Sequence, residues 1–149
     1  MELQPDAVRD ILCYLIDHTN IRWTEDRKYE FMVVHEQQVH EDFADRYEPD
    51  QVTYTLLKLH EARLIAFETN PALGNVQFGR LSIKDVTWEG HQFAQNIQSD
   101  TVWENTKRCA AKLGIKSIEG LLGIAKQAMM LMISNPETRA TIMQYFGIM

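Results

Sequence analysis

The hydrophobic residues at the start of the chain recur every three or four positions. They follow Pro5 and Asp6, a proline and an acid that suit the first turn of a helix. This spacing predicts a helix over about residues 5–17 with one buried face. The period then shortens to two in the segment KYEFMVV, where hydrophobic residues alternate from Tyr29 to Val33. The alternation predicts a short, half-buried strand that follows a polar loop.

Two helices and a hairpin are predicted next. Residues 35–47 are acidic and weakly helical, and Pro49 then opens a helix that turns Val52, Leu56 and Leu59 inward. The segments LIAFET and RLSIKDV predict two strands, because asparagine, proline and glycine turn formers lie between them. The two strands are expected to form a hairpin with a loop of about ten residues.

The order of helix, strand, helix, helix and hairpin is typical of a winged helix. In such a domain the helix that begins at Pro49 is the recognition helix and the hairpin loop is the wing. The predicted fold class is therefore α+β and mostly helical. We expect a winged-helix-like domain over residues 1–98 and a C-terminal helical extension over residues 99–149, which packs on that domain or forms a dimer interface.

Three helices are predicted in the extension. Ser99 is expected to cap the first, Ser117 the second and Asn135 the third, which ends near Gly147. The second of these helices is apolar over more than half its circumference, so it needs two neighbours. One neighbour is expected to be the last helix and the other a second protomer. The sequence therefore predicts a homodimer formed through the C-terminal helices.

Composition and charge limit the classes of partner. The 149 residues are 45% hydrophobic and 24% charged, as in an ordinary globular domain. Residues 1–100 carry nine Lys and Arg against eighteen Asp and Glu, whereas residues 101–149 carry six against three. An acidic balance opposes non-specific binding to the phosphate backbone of nucleic acid, but it leaves room for a local surface that recognises DNA.

The chain is expected to be cytoplasmic and to make no membrane contact. The N-terminal residues lack a basic run followed by an apolar stretch, and the longest apolar run is short and interrupted by Lys126. Cys13 and Cys109 fall on the apolar faces of predicted helices and form no metal-type pair. We therefore expect both cysteines to be buried thiols in a reducing compartment.

The segment VTWEGHQFAQNIQSDTVWENTK closely resembles the hallmark of a bacterial and prophage-associated family, domain of unknown function twenty-five thirteen. That hallmark is approximately Leu-Thr-Trp-x-Gly-His-x-Phe-Leu, then Ile, a short acidic turn, Val-Trp and Lys. DQVTYTLLKLHEARLI and VRDIL resemble upstream helices of the family, so the resemblance spans residues 5–115. The chain departs from the pattern at Val86, Ala94, Thr55 and Arg63. The resemblance implies a winged-helix-like fold and phage or mobile-element biology, and it implies no established activity.

The residues of this motif have a structural interpretation. Thr87 is expected to cap a helix, and Trp88 to fill the core beneath the wing. Gly90 would allow close approach of a neighbouring helix, and His91 would satisfy a buried carbonyl. Trp103 is expected to anchor the winged part to the tail. The alternative, in which the tryptophan and the histidine stack a base or position a proton, lacks a neighbouring nucleophile or second acid.

No set of residues indicates an enzyme, a metal site or a cofactor. His35 and His40 are five apart, which separates them by about 140 degrees around a helix, whereas the HExxH zinc motif needs a spacing of four. The sequence contains neither a phosphate-binding loop nor the spacing of a catalytic triad. We therefore predict no catalytic, metal-binding or cofactor-binding residues.

The predicted recognition helix carries the candidate DNA contacts. Its inward residues leave Gln51, Thr55 and Lys58 facing outward, with Thr53 and Tyr54 at the margins. Gln is able to contact adenine and Lys guanine, while Thr and Tyr contact phosphates. The leading hypothesis is a DNA-binding transcriptional regulator of phage or mobile-element type that binds double-stranded DNA. The wing adds three further candidate contacts, namely Asn75, Gln77 and Arg80.

The acidic helix supports a different hypothesis. Glu36, Glu41, Asp42 and Asp45 are expected on its solvated face, where they would repel a duplex. Such a face suits a basic protein surface. The chain would then be a protein-interaction module, such as a phage-encoded inhibitor or accessory factor, that does not bind DNA. The sequence leaves both hypotheses open.

Overall fold

The computed structural model describes residues 1–68, 77, 79–134, 136, 137, 140, 141 and 144. The described part of the chain is α+β and mostly helical, as predicted. It forms two compact units, Met1–Ala94 and Gln95–Met149, whereas the sequence-based boundary follows residue 98. The elements are, in chain order, α1 (Pro5–His18), β1 (Asn20–Trp23), β2 (Tyr29–Met32), β3 (Val34–His35), α2 (Glu36–Asp42), α3 (Pro49–Glu61), β4 (Ile65–Phe67), β5 (Ser82–Val86), α4 (Trp88–Asn96), α5 (Asp100–Leu113) and α6 (Ile118–Ile133).

α1 confirms the first predicted helix. Pro5 lies in its first turn, where the missing amide hydrogen has no partner to lose. The buried side of α1 contacts both α3 and β5, so this helix lies at the centre of the first unit. Its buried residues repeat every three or four positions and are Ala7, Val8, Ile11, Leu12 and Leu15.

A three-stranded sheet in the first unit has the order β3-β5-β4, and both strand pairs are antiparallel. The predicted hairpin is thereby confirmed as β4 and β5. Val34, Ile65 and Ile83 from the three strands are all buried. α1 contacts β5 and α3 contacts β4, so both helices pack against the sheet. We call it the covered sheet.

β1 and β2 form a separate two-stranded antiparallel sheet. The prediction that a polar loop precedes β2 is wrong for residues 20–23, which form β1. The sequence analysis also predicted β2 as half-buried, whereas every residue of both strands is exposed. The reason is that β2 pairs with β1 and not with a strand of the covered sheet, so its hydrophobic side chains do not enter the core.

The turn after α3 holds an arginine in the left-handed backbone region. Arg63 has a φ of 63°, at a position where the family resemblance led us to expect glycine. The Arg63 amide donates to the His60 carbonyl at 2.9 Å, and the Leu64 amide donates to the Leu59 carbonyl at 2.9 Å. These are the two bonds of a Schellman motif. The left-handed cap is therefore kept, although arginine adopts it at a cost of about 1 kcal/mol relative to glycine.

In the second unit, α5 and α6 pack against each other. Ser99 Oγ accepts a hydrogen bond from the Val102 amide at 3.4 Å, and Ser117 Oγ accepts one from the Gly120 amide at 3.1 Å. Both predicted caps are therefore confirmed. The third predicted helix of the extension, which starts at Asn135, falls largely outside the described residues.

The two cysteines are free and less buried than predicted. Cys13 is exposed and Cys109 is half-buried. Each lies beside the buried stripe of its helix and not at its centre, which a helical period alone does not distinguish. In the described part of the chain, no helix has both the length and the apolar character needed to cross a membrane.

Candidate interaction surfaces

The predicted recognition helix, α3, buries more of its surface than the apolar pattern indicated. The inward orientation of Val52, Leu56 and Leu59 is confirmed. Gln51 and Thr55, however, are only 8% and 0% exposed, so the prediction that they face outward is wrong. The physical reason is that α1 contacts α3 on one side and α2 contacts it on another, which widens the buried face beyond the aliphatic stripe.

Two hydroxyl groups of α3 form hydrogen bonds within the protein. The Thr55 hydroxyl donates to the Gln51 carbonyl one turn earlier, at 2.8 Å. The Thr53 hydroxyl is held by Glu36 and lies 2.8 Å from His40 Nε2. Five side chains of this helix were predicted to contact a duplex. Three of them, Gln51, Thr53 and Thr55, therefore face the interior or bond to α2.

The solvent side of α3 carries both acidic and apolar side chains. Asp50, Leu57 and Glu61 are exposed there, and Tyr54 and Lys58 are half-buried. Lys58 Nζ bonds Glu61 Oε2 at 2.8 Å and lies 5.5 Å from the centroid of the Tyr54 ring. Its charge is thus largely compensated within the helix. These residues provide little uncompensated positive charge, on which binding to a phosphate backbone depends.

The predicted wing contacts are described only in part. Gln77 and Arg80 are both exposed just before β5. The Arg80 amide donates to the Gln77 carbonyl at 3.1 Å, which forms a turn at the end of the hairpin loop. Asn75 lies outside the described residues. The arginine remains a candidate for positioning a polyanion.

Glu36 is fully buried, so its assignment to an acidic surface is wrong. Its Oε1 accepts the Leu81 amide at 3.0 Å, and its Oε2 accepts the hydroxyl of Thr53. His40 Nε2 lies 3.3 Å from the same Oε2. The carboxylate therefore joins α2 to α3 and to the residue before β5. Burying a carboxylate requires such partners, and no surface residue would need them.

The remaining acidic residues do face solvent. Glu41, Asp42 and Asp45 are all exposed, as predicted. Asp42 accepts a hydrogen bond from the Tyr14 hydroxyl, which ties α2 to α1. Burial and this bond to a carboxylate raise the pKa of Tyr14 to about 12. Among the described residues, no three His, Cys, Asp or Glu side chains are arranged to hold a metal ion.

One face of the β1–β2 hairpin is made entirely of large hydrophobic side chains. The register pairs Ile21 with Phe31 and Trp23 with Tyr29, so all four project from the same side. They are 39–65% exposed. The Trp23 and Tyr29 rings lie 4.3 Å apart, and Lys84 Nζ lies 4.6 Å from the centre of the Phe31 ring. We call these four residues the aromatic hairpin face.

The hairpin turn fixes this register. The Thr24 amide donates to the Lys28 carbonyl at 2.8 Å, and the Lys28 amide donates to Thr24 Oγ1 at 3.2 Å. On the opposite side of the sheet, Arg22 bonds Glu30 at 3.1 Å, so that side is polar. The sequence did contain a signal for this element. NIRW alternates with a period of two and precedes YEFM by five polar residues.

The Thr-Trp-x-Gly-His motif ties the start of α4 to the turn after α3. Thr87 Oγ1 accepts the Gly90 amide at 3.1 Å, which confirms the predicted cap, and donates to the Arg63 carbonyl at 2.7 Å. A methyl group at Gly90 would lie 2.2 Å from the Leu64 carbonyl oxygen and 2.6 Å from Val86 Cγ1. Glycine therefore does permit a close approach, but the approaching group is a turn and not the predicted helix.

The other two residues of the motif are on the surface. Trp88 is 72% exposed, and His91 is exposed. The predictions that the tryptophan fills the core and that the histidine satisfies a buried carbonyl are therefore wrong. They lie three residues apart on α4 and so share one side of it. By contrast Trp103 is buried in the second unit, with Lys107 Nζ 5.8 Å from its ring.

Comparison with known proteins identifies a family and gives no activity. No curated protein and no solved structure matches the chain. The sequence profile of the family described as Hypothetical protein (DUF2513) matches residues 2–116, which is well over half of the 149 residues. That match includes every element of the first unit and the whole of α5. The chain therefore belongs to the DUF2513 family.

Proposed function

We propose that this protein is a cytoplasmic protein-interaction module built on a winged helix. The order of α1, β3, α2, α3 and the β4–β5 hairpin supports the winged-helix assignment, as does the strand order β3-β5-β4. The exposed, free thiol of Cys13 suits a reducing compartment. The partner is a protein, and the β1–β2 hairpin is the element that binds it.

The observation that carries this proposal is the aromatic hairpin face. Four adjacent hydrophobic side chains, two of them Trp and Tyr, are displayed on one side of an exposed sheet. Contiguous apolar patches on soluble domains mark interaction sites, and Trp and Tyr dominate the binding energy of protein interfaces. Trp88 on α4 adds a further exposed tryptophan to the same unit.

The charge of the unit favours a basic partner. Its exposed carboxylates include Glu41, Asp42 and Asp45 on and after α2, and Asp50 and Glu61 on α3. Charge complementarity accelerates association and rejects acidic competitors. A partner with apolar anchors and a cationic rim fits this combination, whereas the solvent side of α3 fits a duplex poorly.

The test is site-specific photo-crosslinking in the cells that naturally produce the protein. A photoreactive amino acid is placed at Tyr29 and, as a matched control, at Leu113, which is also an exposed hydrophobic residue. We expect a protein adduct of discrete mass from position 29 and none from position 113. Trp23→Ser should abolish the adduct without changing the circular-dichroism melting curve, because Trp23 is exposed. Identical adducts from both positions, or none from either, would contradict the proposal.

Double-stranded DNA is the second candidate ligand, and the exposed Gln77 and Arg80 beside the hairpin loop favour it. A transcriptional regulator of prophage type would use the wing more than α3. Genomic and prophage fragments are selected on the purified protein, and the recovered duplex is measured by anisotropy over a salt series. Arg80→Ala should reduce the salt slope by about one if this residue contacts a phosphate, and Lys58→Ala tests the helix. Absence of an enriched sequence at low salt would remove this candidate.

A homodimer is also proposed, formed through the second unit. An apolar groove of about 370 Å³ runs between α5 and α6, with Cys109, Ile124 and Leu131 among its lining residues. Leu131 and the neighbouring Met130 are exposed on α6. Light scattering after size exclusion should give twice the mass of one chain, and Leu131→Glu should give a monomer. A monomeric wild-type protein would exclude the dimer.

A further inference from the structure

The β1–β2 hairpin leaves one strand edge open. β1 pairs with β2 and with no other described strand, and all four of its residues are exposed. β2, by contrast, also contacts β5 of the covered sheet. An open edge presents a row of backbone N–H and C=O groups, to which a strand of another chain is able to pair. The direction of each backbone group on β1 therefore determines what this edge binds.

Two hydrogen bonds fix those directions. The Thr24 amide donates to the Lys28 carbonyl at 2.8 Å, so it points toward β2. Directions alternate along an antiparallel strand, so the backbone groups of Ile21 and Trp23 point away from β2. The Ile21 amide agrees with this pattern, since it donates to Oδ1 of the adjacent Asn20 at 2.8 Å. The open edge therefore presents the Ile21 carbonyl together with the amide and the carbonyl of Trp23.

The same two residues carry side chains of the aromatic hairpin face. Ile21 is 49% exposed and Trp23 is 65% exposed. A strand added beside β1 would bond the three open backbone groups and would place every second side chain next to these two. A helix or a folded surface would cover the hydrophobic side chains but would leave the backbone groups of the edge unpaired. An extended segment is therefore the occupant that satisfies both.

The polar side of the hairpin distinguishes two sources of such a strand. Arg22 lies on that side and bonds Glu30 of β2 at 3.1 Å, with 59% of its side chain exposed. If β1 paired with β1 of a second copy through both Ile21 and Trp23, the pairing would be centred on Arg22, and the two guanidinium groups would lie directly opposite each other. Like charges in that arrangement destabilise a strand pair. A carboxylate opposite Arg22 would instead pair with it, because a guanidinium has five N–H donors and is able to bond two carboxylates.

We propose that β1 binds an extended segment of the protein partner as a third, antiparallel strand. In this segment an acidic residue lies opposite Arg22, between two hydrophobic residues that lie opposite Ile21 and Trp23. The inference rests on the proposed function, since the segment belongs to the partner that the hairpin binds. The acidic residue is confined to this strand, and the cationic rim of the partner faces the carboxylates of α2 and α3.

The test uses the purified full chain and the capped peptide acetyl-Thr-Val-Glu-Val-Thr-amide. This peptide places its glutamate opposite Arg22 and one valine opposite each of Ile21 and Trp23. Amide chemical shifts are followed by NMR as the peptide is added. We expect saturable shifts centred on residues 20–24 and a dissociation constant on the order of 1 mM, as suits so short a ligand. Intermolecular nuclear Overhauser effects should connect the valine methyl groups with the Trp23 ring.

Two N-methylated peptides test the backbone pairing. In the proposed register the amide of the first valine donates to the Trp23 carbonyl, whereas the glutamate amide points away from β1. A methyl group on that valine nitrogen removes one hydrogen bond and should weaken binding by about tenfold. A methyl group on the glutamate nitrogen is the matched control and should leave the affinity within about twofold.

The charge at the centre of the strand is tested by a double-mutant cycle. Replacing the glutamate of the peptide by lysine should weaken binding by about threefold. Arg22→Gln should remove this difference between the two peptides, because the charge that distinguishes them is gone. Trp23→Ser should abolish saturable binding. Trp88→Ser, which changes an equally exposed tryptophan outside the hairpin, is the control and should leave the affinity unchanged.

Several results would overturn the assignment. Equal affinity of the two N-methylated peptides would reject strand pairing, and equal affinity of the glutamate and lysine peptides for the wild-type protein would reject the acidic residue. A dimer that Trp23→Ser dissociates would assign the edge to a second copy of the chain.

The crosslink at position 29 is measured separately and tests the proposed function. If that crosslink forms while the peptide fails to bind, the protein partner stands and the added strand is wrong. If the peptide binds as expected while no crosslink forms, the open edge stands as a site for a strand and the proposed function is wrong.

Discussion

The two small sheets of the first unit both contain many hydrophobic residues, but one sheet is buried and the other is exposed. Both are antiparallel and rich in aliphatic and aromatic residues, yet the covered sheet buries Val34, Ile65 and Ile83 while the hairpin exposes Ile21 and Trp23. The difference lies in the neighbours, since α1 and α3 contact only the covered sheet strongly. Hydrophobic alternation therefore identifies a strand, and contact with helices determines whether its apolar face is buried or exposed.

The largest predicted effect is on stability, and it differs between two isoleucines, one in each sheet. Ile83→Ala should lower the free energy of unfolding by about 3 kcal/mol, because it leaves a cavity in the buried face of β5. Ile21→Ala should change it by less than about 0.5 kcal/mol, because that side chain is already in water. Urea denaturation followed by circular dichroism measures both. Equal losses would mean that the hairpin belongs to the core.

The next prediction concerns the joint that holds the covered sheet to α4. Gly90→Ala should cost about 2 kcal/mol, because the new methyl group would overlap the Leu64 carbonyl and Val86 of β5. Gly123→Ala, at a helical glycine with open space around it, is the control and should be neutral or stabilising. Thermal melting of both variants gives the comparison. A stable Gly90→Ala protein would show that the turn after α3 is able to move away.

A smaller change in stability is predicted for two arginines that adopt a positive φ. Arg63 (φ 63°) precedes the covered sheet, and Arg27 (φ 61°) lies in the hairpin turn. Arg63→Gly should stabilise the protein by about 1 kcal/mol in denaturant titration, because glycine relieves the left-handed strain of the Schellman motif. Arg27→Gly should leave global stability unchanged, since the hairpin contributes little to the core. A gain of equal size in both variants would refute the proposed independence of the hairpin.

The smallest predicted effect depends on pH. His60 stacks on Phe67 of the covered sheet with ring centroids 4.5 Å apart, and burial lowers its pKa below the ordinary 6.5. The unfolded chain therefore binds a proton at this residue at a higher pH than the folded chain does. Stability should fall as the pH drops below about 6.5, and the loss should end below the folded pKa. His60→Gln should lose less stability over this range, as measured by melting temperature.

The sequence predicted most of the fold because helical periods, caps and turn formers are local. The caps Thr87, Ser99 and Ser117 and the buried stripe of α1 needed no knowledge of neighbours. The wrong predictions for Gln51, Thr55 and Glu36 came from contacts between elements that are distant in sequence. Nothing near Gln51 or Glu36 in sequence indicated that α1, α2 and the residue before β5 would enclose them.

The candidate site was predicted less well, for a related physical reason. The sequence gives Trp88 and Gly90 the same structural interpretation. In the structure, the close approach of the Leu64 carbonyl accounts only for the glycine at position 90. The tryptophan remains on the surface. Likewise β1 was missed because polar and hydrophobic residues alternate over only four positions, which is a weak signal. Its identity as a strand depends on pairing with β2.

A sheet of two strands also has a characteristic behaviour in time. Such a sheet is at most marginally stable by itself, so it should open locally without unfolding the rest of the domain. The amide hydrogens of the β1–β2 ladder should therefore exchange with deuterium well before that of Ile83. A bound partner would close the ladder and slow exchange there first. Exchange kinetics on the hairpin thus give a way to detect occupancy in a crude mixture before the partner itself has been identified.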